Sequence, residues 1–265
     1  MLNRRTSATG VVYYGSRLLD GAGVPHAFST RLGGVSAPPF DSLNLGNPNG
    51  CDTQDPWERV YENYALLQSA IGLGGKDRLW VHQVHGPDVH AVRVGQPFES
   101  GVKGDAMTSD DPDRVIAIRV ADCVPILMAS TDGKLVAAIH AGWRGVVSNV
   151  VGATIKQLQE RGGSSFVAAI GPCIGFDAFE VGPEVLTEFQ SVFEERAPIR
   201  RMDDGKGRVD LREGVRMQLI GAGLSDEQID TTDRCTSRDA DEFFSHRRDR
   251  GVTGRMAALI APRAG

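Results

Sequence analysis

The chain has 265 residues, a formal net charge of −5, and a composition that is 41% hydrophobic and 24% charged. That composition is ordinary for a soluble globular protein, and the net negative charge argues against a general nucleic-acid-binding protein. No segment has the length and hydrophobicity of a membrane span, and the N-terminus has no apolar core of signal-peptide length.

The chain shows no linker rich in proline, serine or charge, so we expect residues 1–265 to form a single domain. The cysteines are scattered without a CxxC pair and are too few to cross-link a chain of this size. We therefore expect reduced thiols and a cytoplasmic location. The cysteines are Cys51, Cys123, Cys173 and Cys235.

Short apolar runs rich in β-branched residues alternate with helical patterns along the chain. The runs GVVYYG, HAFST, RLWVHQV and DVHAVRV are typical of strands. Between the second and third of them, the spacing of apolar residues predicts a helix over 56–71. We expect Asp55 to cap this helix, Pro56 to open it and Glu58 to complete a capping box.

Three strands are predicted between Arg114 and His140, from the runs RVIAIRV, VPILMAS and KLVAAIH. The Asp132-Gly133 pair is typical of a hairpin turn between the second and third of these strands. Cys123 stands just before the second strand and His140 ends the third. The hairpin therefore predicts that Cys123 and His140 lie close together at the same end.

Three more helices are predicted over 145–160, 183–195 and 211–221, the last with Asp210 as its cap. The runs SFVAAIG and RMAALIA add two strands. Clusters of strands mixed with separate helices predict an α+β fold, in which helices cover a largely antiparallel, sheet-rich core.

The pairing of one cysteine with one histidine supports two kinds of site. Cys123 and His140 could be a nucleophile and its base. With His85, which a glycine follows at a predicted strand end, they could instead bind a metal ion. Two imidazoles and one thiolate suit zinc with one position left open, as in catalytic zinc sites. The simpler alternative is a buried cysteine and two histidines that only make hydrogen bonds.

Arginines supply the candidate anion-binding groups. Arg144 lies in HAGWRG, at the predicted N-terminus of the 145–160 helix, where free backbone N–H groups also favour an anion. Arg31 lies in the glycine-rich bend STRLGGVS, and Arg247 lies in the basic cluster SHRRDRG. A solvated loop arginine is the simpler interpretation of Arg31. Trp143 could stack on a flat ring or cover the core.

A series of motifs resembles the YfiH family, also called the laccase-domain or multicopper polyphenol oxidase family. The match runs from about Phe28 to the C-terminus, and the combination of QVHG, ADC and HAGWRG is specific. The motifs, in chain order, are FSTRLGGVS, SLNLG, QVHG, GDAMTS, ADCVPILM, HAGWRG, GPCIG and FFSHRRDRGVTGRMAALI.

The resemblance implies an α/β fold with a sheet-rich core and a purine nucleoside phosphorylase that also accepts methylthioadenosine, with adenosine deaminase activity alongside. It implies zinc as the metal and places the metal ligands on His85, Cys123 and His140. Purine nucleosides and phosphate would be the binding partners. Arg31, Arg144 and Arg247 are then the candidates to hold phosphate. Asp122 is the nearest carboxylate for proton transfer, although a turn cap beside Cys123 is an equal interpretation.

Three other functions remain open at the level of sequence. A cysteine hydrolase would use Cys123 as nucleophile and His140 as base, and some members of the family look like editors of peptidoglycan precursors. A copper phenol oxidase is the less favoured alternative, because a multicopper enzyme needs more histidines than the six present. A metal-binding or interaction protein without catalytic activity is the third.

The Cys123→Ser substitution separates the metal hypothesis from the hydrolase. A hydroxyl binds zinc far more weakly than a thiolate, so the variant should lose both metal and activity. Elemental analysis of the purified wild-type and variant proteins measures this. A variant that loses activity while its metal content stays the same would favour the cysteine hydrolase.

Overall fold

Strands make up two large sheets and one small one in the computed structural model, which describes residues 1–48 and 50–264. None of the helices in these two ranges is long and apolar enough to cross a bilayer. The strands are β1 Asn3–Thr6, β2 Val12–Gly15, β3 His26–Ser29, β4 Asp77–Trp80, β5 Val89–Val92, β6 Ala106–Ser109, β7 Arg114–Val120, β8 Val124–Ser130, β9 Val136–Ala141, β10 Phe166–Ile170, β11 Glu180–Val181, β12 Ile199–Arg201, β13 Gly207–Val209, β14 Ile229–Asp230 and β15 Met256–Ile260.

The helices lie mostly in the second half of the chain. The α-helices are α1 Arg17–Gly21, α2 Trp57–Ala70, α3 Trp143–Val147, α4 Val150–Glu160, α5 Pro183–Phe193 and α6 Leu211–Gly221, and short 3-10 helices cover Phe176–Ala178, Glu194–Arg196 and Asp226–Gln228.

The first sheet has the strand order β1-β2-β3-β15-β7-β4 and the second has the order β14-β10-β8-β9-β6-β5. A small sheet, β11-β13-β12, stands apart from both. Neighbouring strands are antiparallel except for the pairs β4–β7, β5–β6 and β10–β14. Mixed, largely antiparallel sheets together with separate helices confirm the predicted α+β class.

The two large sheets pack face to face, as the alternating directions of the side chains along β8 show. Ile126 and Met128 belong to the apolar cluster that includes α4, α5 and α6. Leu127 and Ala129 point the other way, into the cluster shared with Phe28 and other residues of the first sheet. Because successive side chains of a strand point to opposite faces, each sheet is covered on both sides.

Helix α2 covers the outer face of the first sheet. Its Val60, Tyr64 and Leu67 pack in a third cluster with Ala117 of β7 and Leu259 of β15. The result is four layers, in the order helix, sheet, sheet and helices. The α2 helix follows the predicted range, but Asp55 does not cap it. The buried Asp55 carboxylate accepts hydrogen bonds from Ser36 and Asn44 instead.

The predicted helix over 145–160 is two helices. Asn149 between α3 and α4 adopts a left-handed backbone with φ of 57°, and its side chain caps α4 by accepting a hydrogen bond from the Gly152 N–H. The α5 and α6 helices occupy the predicted ranges, except that a 3-10 turn replaces the last residues of 183–195. Asp210 caps α6 as predicted, by accepting from the Glu213 N–H.

The predicted hairpin positions the residues of the candidate site. Strands β8 and β9 pair antiparallel, with Pro125 opposite His140. Residues 121–123 connect β7 of the first sheet to β8 of the second, and Asp122 in this link has a φ of 92°. Cys123 therefore lies where the chain crosses between the sheets, beside the end of β9.

The Ile126→Ala substitution tests the central position of β8. Ile126 is completely buried, so the substitution should lower the free energy of unfolding by about 2–5 kcal/mol, because a cavity remains. Val94→Ala is the control, since Val94 is 62% exposed and should change stability by less than about 0.5 kcal/mol. Urea denaturation measures both. Equal effects would contradict the assigned core.

Candidate metal centre and cavity

Three potential metal ligands meet at the end of the β8–β9 hairpin. One ligand atom each from His85, Cys123 and His140 lies within 4.8 Å of the other two. The Cys123 Sγ lies 3.8 Å from His85 Nε2, and the two imidazole rings are 4.9 Å apart in an edge-to-face arrangement. His140 is buried, Cys123 is half-buried and His85 is exposed, so the cluster opens toward solvent on one side.

Asp105, directly before β6, fixes both histidines. Its fully buried carboxylate accepts a hydrogen bond from His140 Nδ1 at 2.8 Å, which leaves Nε2 of His140 as the free ligand atom. The same carboxylate accepts hydrogen bonds from the backbone N–H groups of Val84, His85 and Gly86, at 3.1, 2.8 and 2.7 Å. A carboxylate behind a histidine is the usual support for a metal ligand, because it sets the tautomer and the ring orientation.

The charges of the cluster favour an ionised thiol. Burial alone would raise the pKa of Cys123, but attraction to His140 and hydrogen bonds from His140 and His85 outweigh it and lower that pKa to about 6. Burial would lower the pKa of His140, yet Cys123 and Asp105 raise it to about 9. A thiolate is the form of cysteine that binds metal or attacks a substrate.

Gly142 leaves room for the cluster. A Cβ atom at this position would lie 2.7 Å from His85 Cδ2 and 3.1 Å from Cys123 Sγ. The backbone of Gly142 is extended, with φ of −75°, so space and not an unusual dihedral requires glycine. The tight packing of HAGWRG against the cluster places the start of α3 at the edge of the site.

A cavity of about 390 Å³ opens from the cluster, within the range of roughly 300–1,000 Å³ that ligand pockets occupy. Aromatic and apolar walls come from Trp143, Ile174, Phe179 and Leu211. The cationic lining residues are Arg119, Arg144, Arg247 and Arg255.

None of these four arginines forms an ion pair with a carboxylate among the described residues. Asp122 is the only carboxylate in the described lining. The cavity therefore carries excess positive charge, which favours an anion.

The structure places two of the three predicted substrate-binding arginines at the cavity. Arg144 is exposed, with its guanidinium carbon 4.2 Å from the centroid of its own Trp143 ring. Arg247 is exposed too, and its guanidinium donates to the carbonyl oxygen of Glu180. The third, Arg31, is not among the described lining residues. Its guanidinium donates to Asp41 and to the carbonyl of Ala240, bonds that hold a loop.

Asp122 lines the cavity, but its carboxylate is engaged. One oxygen accepts a hydrogen bond from the hydroxyl of Thr236 at 2.5 Å, and the other accepts one from the backbone N–H of Arg247 at 2.7 Å. These bonds join the link between the sheets to the segment that carries Arg247. They favour a structural role for Asp122, as a link between these two segments, over a role in proton transfer.

Sequence reasoning missed Asp105, Arg119 and Arg255. Asp105 lies in the GDAMTS motif, which supported the resemblance but carried no predicted role. Arg119 lies inside an apolar strand, and Arg255 lies beside one, within the motif FFSHRRDRGVTGRMAALI. A charged residue within an otherwise apolar strand was the available sign, because such residues are rarely buried without a partner.

Comparison with known proteins identifies the family. The family described as multi-copper polyphenol oxidoreductase laccase matches residues 25–263. Purine nucleoside phosphorylase YfiH of Escherichia coli (strain K12) is 41% identical over 238 residues, which cover 90% of this chain and 93% of that protein. The chain belongs to the YfiH family.

Two further YfiH relatives extend this finding. A purine nucleoside phosphorylase of Deinococcus radiodurans is 39% identical over 239 residues, covering 89% of this chain and 88% of the relative. The crystal structure of YlmD from Geobacillus stearothermophilus superposes with a TM-score of 0.86 at 32% identity, and covers 98% of this chain and 99% of that one. The fold is thus that of solved YfiH-like proteins.

The Gly142→Ala substitution tests whether this YfiH-family cluster binds metal. The added methyl group would push His85 away from Cys123, so metal affinity should fall about tenfold or more, as when other supporting contacts of a metal site are lost. Gly145→Ala is the matched control, because its Cβ would meet no atom closer than 3.5 Å. Competition with a chromogenic chelator measures both affinities. Equal affinities in the two variants would contradict the assigned site.

Proposed function

We propose that the chain, acting as one domain over residues 1–265, is a zinc-dependent purine nucleoside phosphorylase. Adenosine, inosine and methylthioadenosine would be its substrates, with adenosine deaminase activity alongside. The observation that carries the proposal is one cavity that joins a His-Cys-His cluster to four arginines, none of which has a carboxylate partner in the described part of the chain. Relatives named purine nucleoside phosphorylase, at 39–41% identity over about nine-tenths of the chain, support the same reaction.

The donor set fits zinc. Two imidazoles and a thiolate are ligands that zinc accepts, and the three donors leave a position open toward the cavity. The hydrogen bond from His140 Nδ1 to the buried Asp105 adds the support that metal-binding histidines usually have. A bound zinc ion would supply a Lewis acid that polarises a substrate atom or a water molecule. His85, Cys123 and His140 would hold it.

In phosphorolysis, a phosphate oxygen forms a bond to C1′ of the ribose while the bond from C1′ to the purine N9 breaks. The electron pair of that bond moves into the purine, which takes up a proton, and the products are ribose 1-phosphate and the free base. The chain must hold an anion next to the nucleoside. Arg144 and Arg247 are proposed to contribute to that binding, since both line the cavity and neither pairs with a carboxylate within residues 1–48 and 50–264.

The apolar walls of the cavity suit the purine ring. Trp143 is half-buried at the cavity and carries the Arg144 guanidinium on its ring. His82 and His246 are exposed lining residues, and we propose them for proton exchange with the purine, because both oxygens of Asp122 are already bound. In deamination, water adds at C6 of the purine and the amino group leaves as ammonia.

The cysteine hydrolase is the second candidate, and one observation favours it. In a hydrolase, Cys123 would be the nucleophile, His140 the base and Asp105 the carboxylate that orients the base. The lowered pKa of Cys123 suits a nucleophile. His85 has no role in that arrangement, although it lies 3.8 Å from the thiol. Copper oxidase chemistry, which the family description names, would need further metal sites. The described residues contain a single cluster of three suitable ligands.

Product analysis tests the proposed reactions. The purified protein is incubated with adenosine, inosine or methylthioadenosine, with and without phosphate, and the products are identified by chromatography and mass spectrometry. We expect free base and ribose 1-phosphate, or its methylthio form, only when phosphate is present. Adenosine should give inosine and ammonia without phosphate. A chelator should abolish both reactions, and added zinc should restore them.

Specific outcomes would contradict the proposal. Release of the base at the same rate without phosphate would indicate a hydrolase. Full activity after complete metal removal would favour the cysteine hydrolase. Recovery with copper but not with zinc would correct the metal.

A further inference from the structure

Arg119 and Arg255 are two arginines of the cavity lining for which the sequence predicted no role. Arg119 lies on β7 and pairs with Ala257 of β15. Arg255 precedes β15 and is two residues from Ala257, so the strand period places both side chains on the same face of the first sheet. Both arginines are half-buried and both line the cavity.

The Arg119 guanidinium and the base of the Arg255 side chain lie beside Gly46. A Cβ atom on Gly46 would lie 2.8 Å from Arg119 Cδ and 3.1 Å from Arg119 Nη1, and 3.6 Å from Arg255 Cβ. The absence of a side chain at Gly46 therefore leaves room for the Arg119 guanidinium. Besides burial, the charge of Arg119 lowers the pKa of Arg255, so the two like charges repel each other, and partial burial makes the repulsion stronger.

The surrounding contacts hold the pair in place without neutralising it. The Nη1 of Arg255 donates to the carbonyl oxygens of Thr253 and Gly254, at 2.9 and 3.0 Å. The Arg119 guanidinium lies 5.3 Å from the Trp80 ring centroid, and both backbone groups of Arg119 are bound by the Gln83 amide. Burial first, and then the charge of Arg119, lower the pKa of Arg255. A bound anion would compensate for the burial of Arg255 and for its repulsion from Arg119.

We infer that Arg119 and Arg255 form the subsite that binds inorganic phosphate, a role that rests on the proposed phosphorolysis. Two planar guanidinium forks match the oxygens of phosphate. The alternatives in the same cavity are less suited. Arg144 and Arg247 are more exposed, and α3, where Arg144 lies, has only five residues. A short helix adds little positive field to Arg144.

Direct binding of inorganic phosphate to the intact, metal-loaded protein tests the subsite. Isothermal titration calorimetry would compare the wild type with Arg119→Gln and Arg255→Gln. Each variant should bind phosphate roughly ten- to a hundred-fold more weakly, as expected for losing a charge-assisted hydrogen bond. Gly46→Ala should weaken binding as well, because it displaces Arg119 while leaving every charge in place.

Two comparison variants locate the effect. Arg144→Gln removes a more exposed charge from the same cavity and should weaken phosphate binding less than Arg119→Gln does, since exposed charges interact weakly. Arg78→Gln removes a guanidinium that stacks on Tyr64, away from the cavity, and should have no effect. A larger loss with Arg144→Gln than with Arg119→Gln would overturn the inference.

The kinetic readout separates this inference from the proposed function. The KM for phosphate should rise in Arg119→Gln while the KM for inosine stays close to the wild-type value. Phosphate binding that depends on Arg119 and Arg255 in a protein without phosphorolysis would refute the proposed function and support the subsite. Phosphorolysis with an unchanged KM for phosphate in both variants would refute the subsite alone.

A second titration identifies the source of the phosphoryl group. Adenosine 5′-monophosphate replaces inorganic phosphate and is added to the same variants. If Arg119→Gln weakens binding of the nucleotide but leaves the affinity for inorganic phosphate unchanged, the pair serves a substrate phosphate and the inference is wrong. Arg119→Lys, which keeps the charge but not the planar fork, should restore part of the affinity and replaces the glutamine variant if that one does not fold.

Discussion

The buried carboxylate of Asp105 is the contact on which the candidate site depends. It accepts hydrogen bonds from a histidine side chain and from three consecutive backbone N–H groups. A fully buried charge is costly unless its partners satisfy it, and Asp105 has four. The same bonds fix His140 from β9 and His85 from a loop, two segments far apart in the chain. One satisfied carboxylate therefore positions both nitrogen donors beside Cys123.

The cavity next to this cluster has one region where charges balance and one region with excess positive charge. Around Cys123, histidines and a carboxylate balance one another within a few ångströms. A short distance away, four arginines lack carboxylate partners among the described residues, although ion pairs are frequent elsewhere in the protein. Such unbalanced charge destabilises the folded state slightly and gives a cavity that attracts an anion. The positive region suits the proposed phosphorolysis, in which a nucleoside and a phosphate bind side by side.

Parts of the site could be predicted because they depend on local sequence. The Asp132-Gly133 turn and the apolar runs on either side of it placed Cys123 and His140 together, and the pairing of β8 with β9 confirms that arrangement. The helix over 145–160 was predicted as continuous because its apolar spacing runs through Asn149. The left-handed backbone of Asn149 interrupts it, and no local pattern distinguished that residue from an ordinary helical asparagine.

The sequence by itself determined the types of the longer elements, the hairpin, the family motifs and the identity of the three metal-binding candidates. Only the tertiary structure decided that Arg31 serves a loop, that Asp105 supports the histidines, and that Arg119 and Arg255 face one cavity. The physical reason is the separation along the chain over which each kind of interaction acts. Propensity, periodicity and turn chemistry act between neighbouring residues, whereas these side chains acquire their partners from strands that meet only when the two sheets pack together.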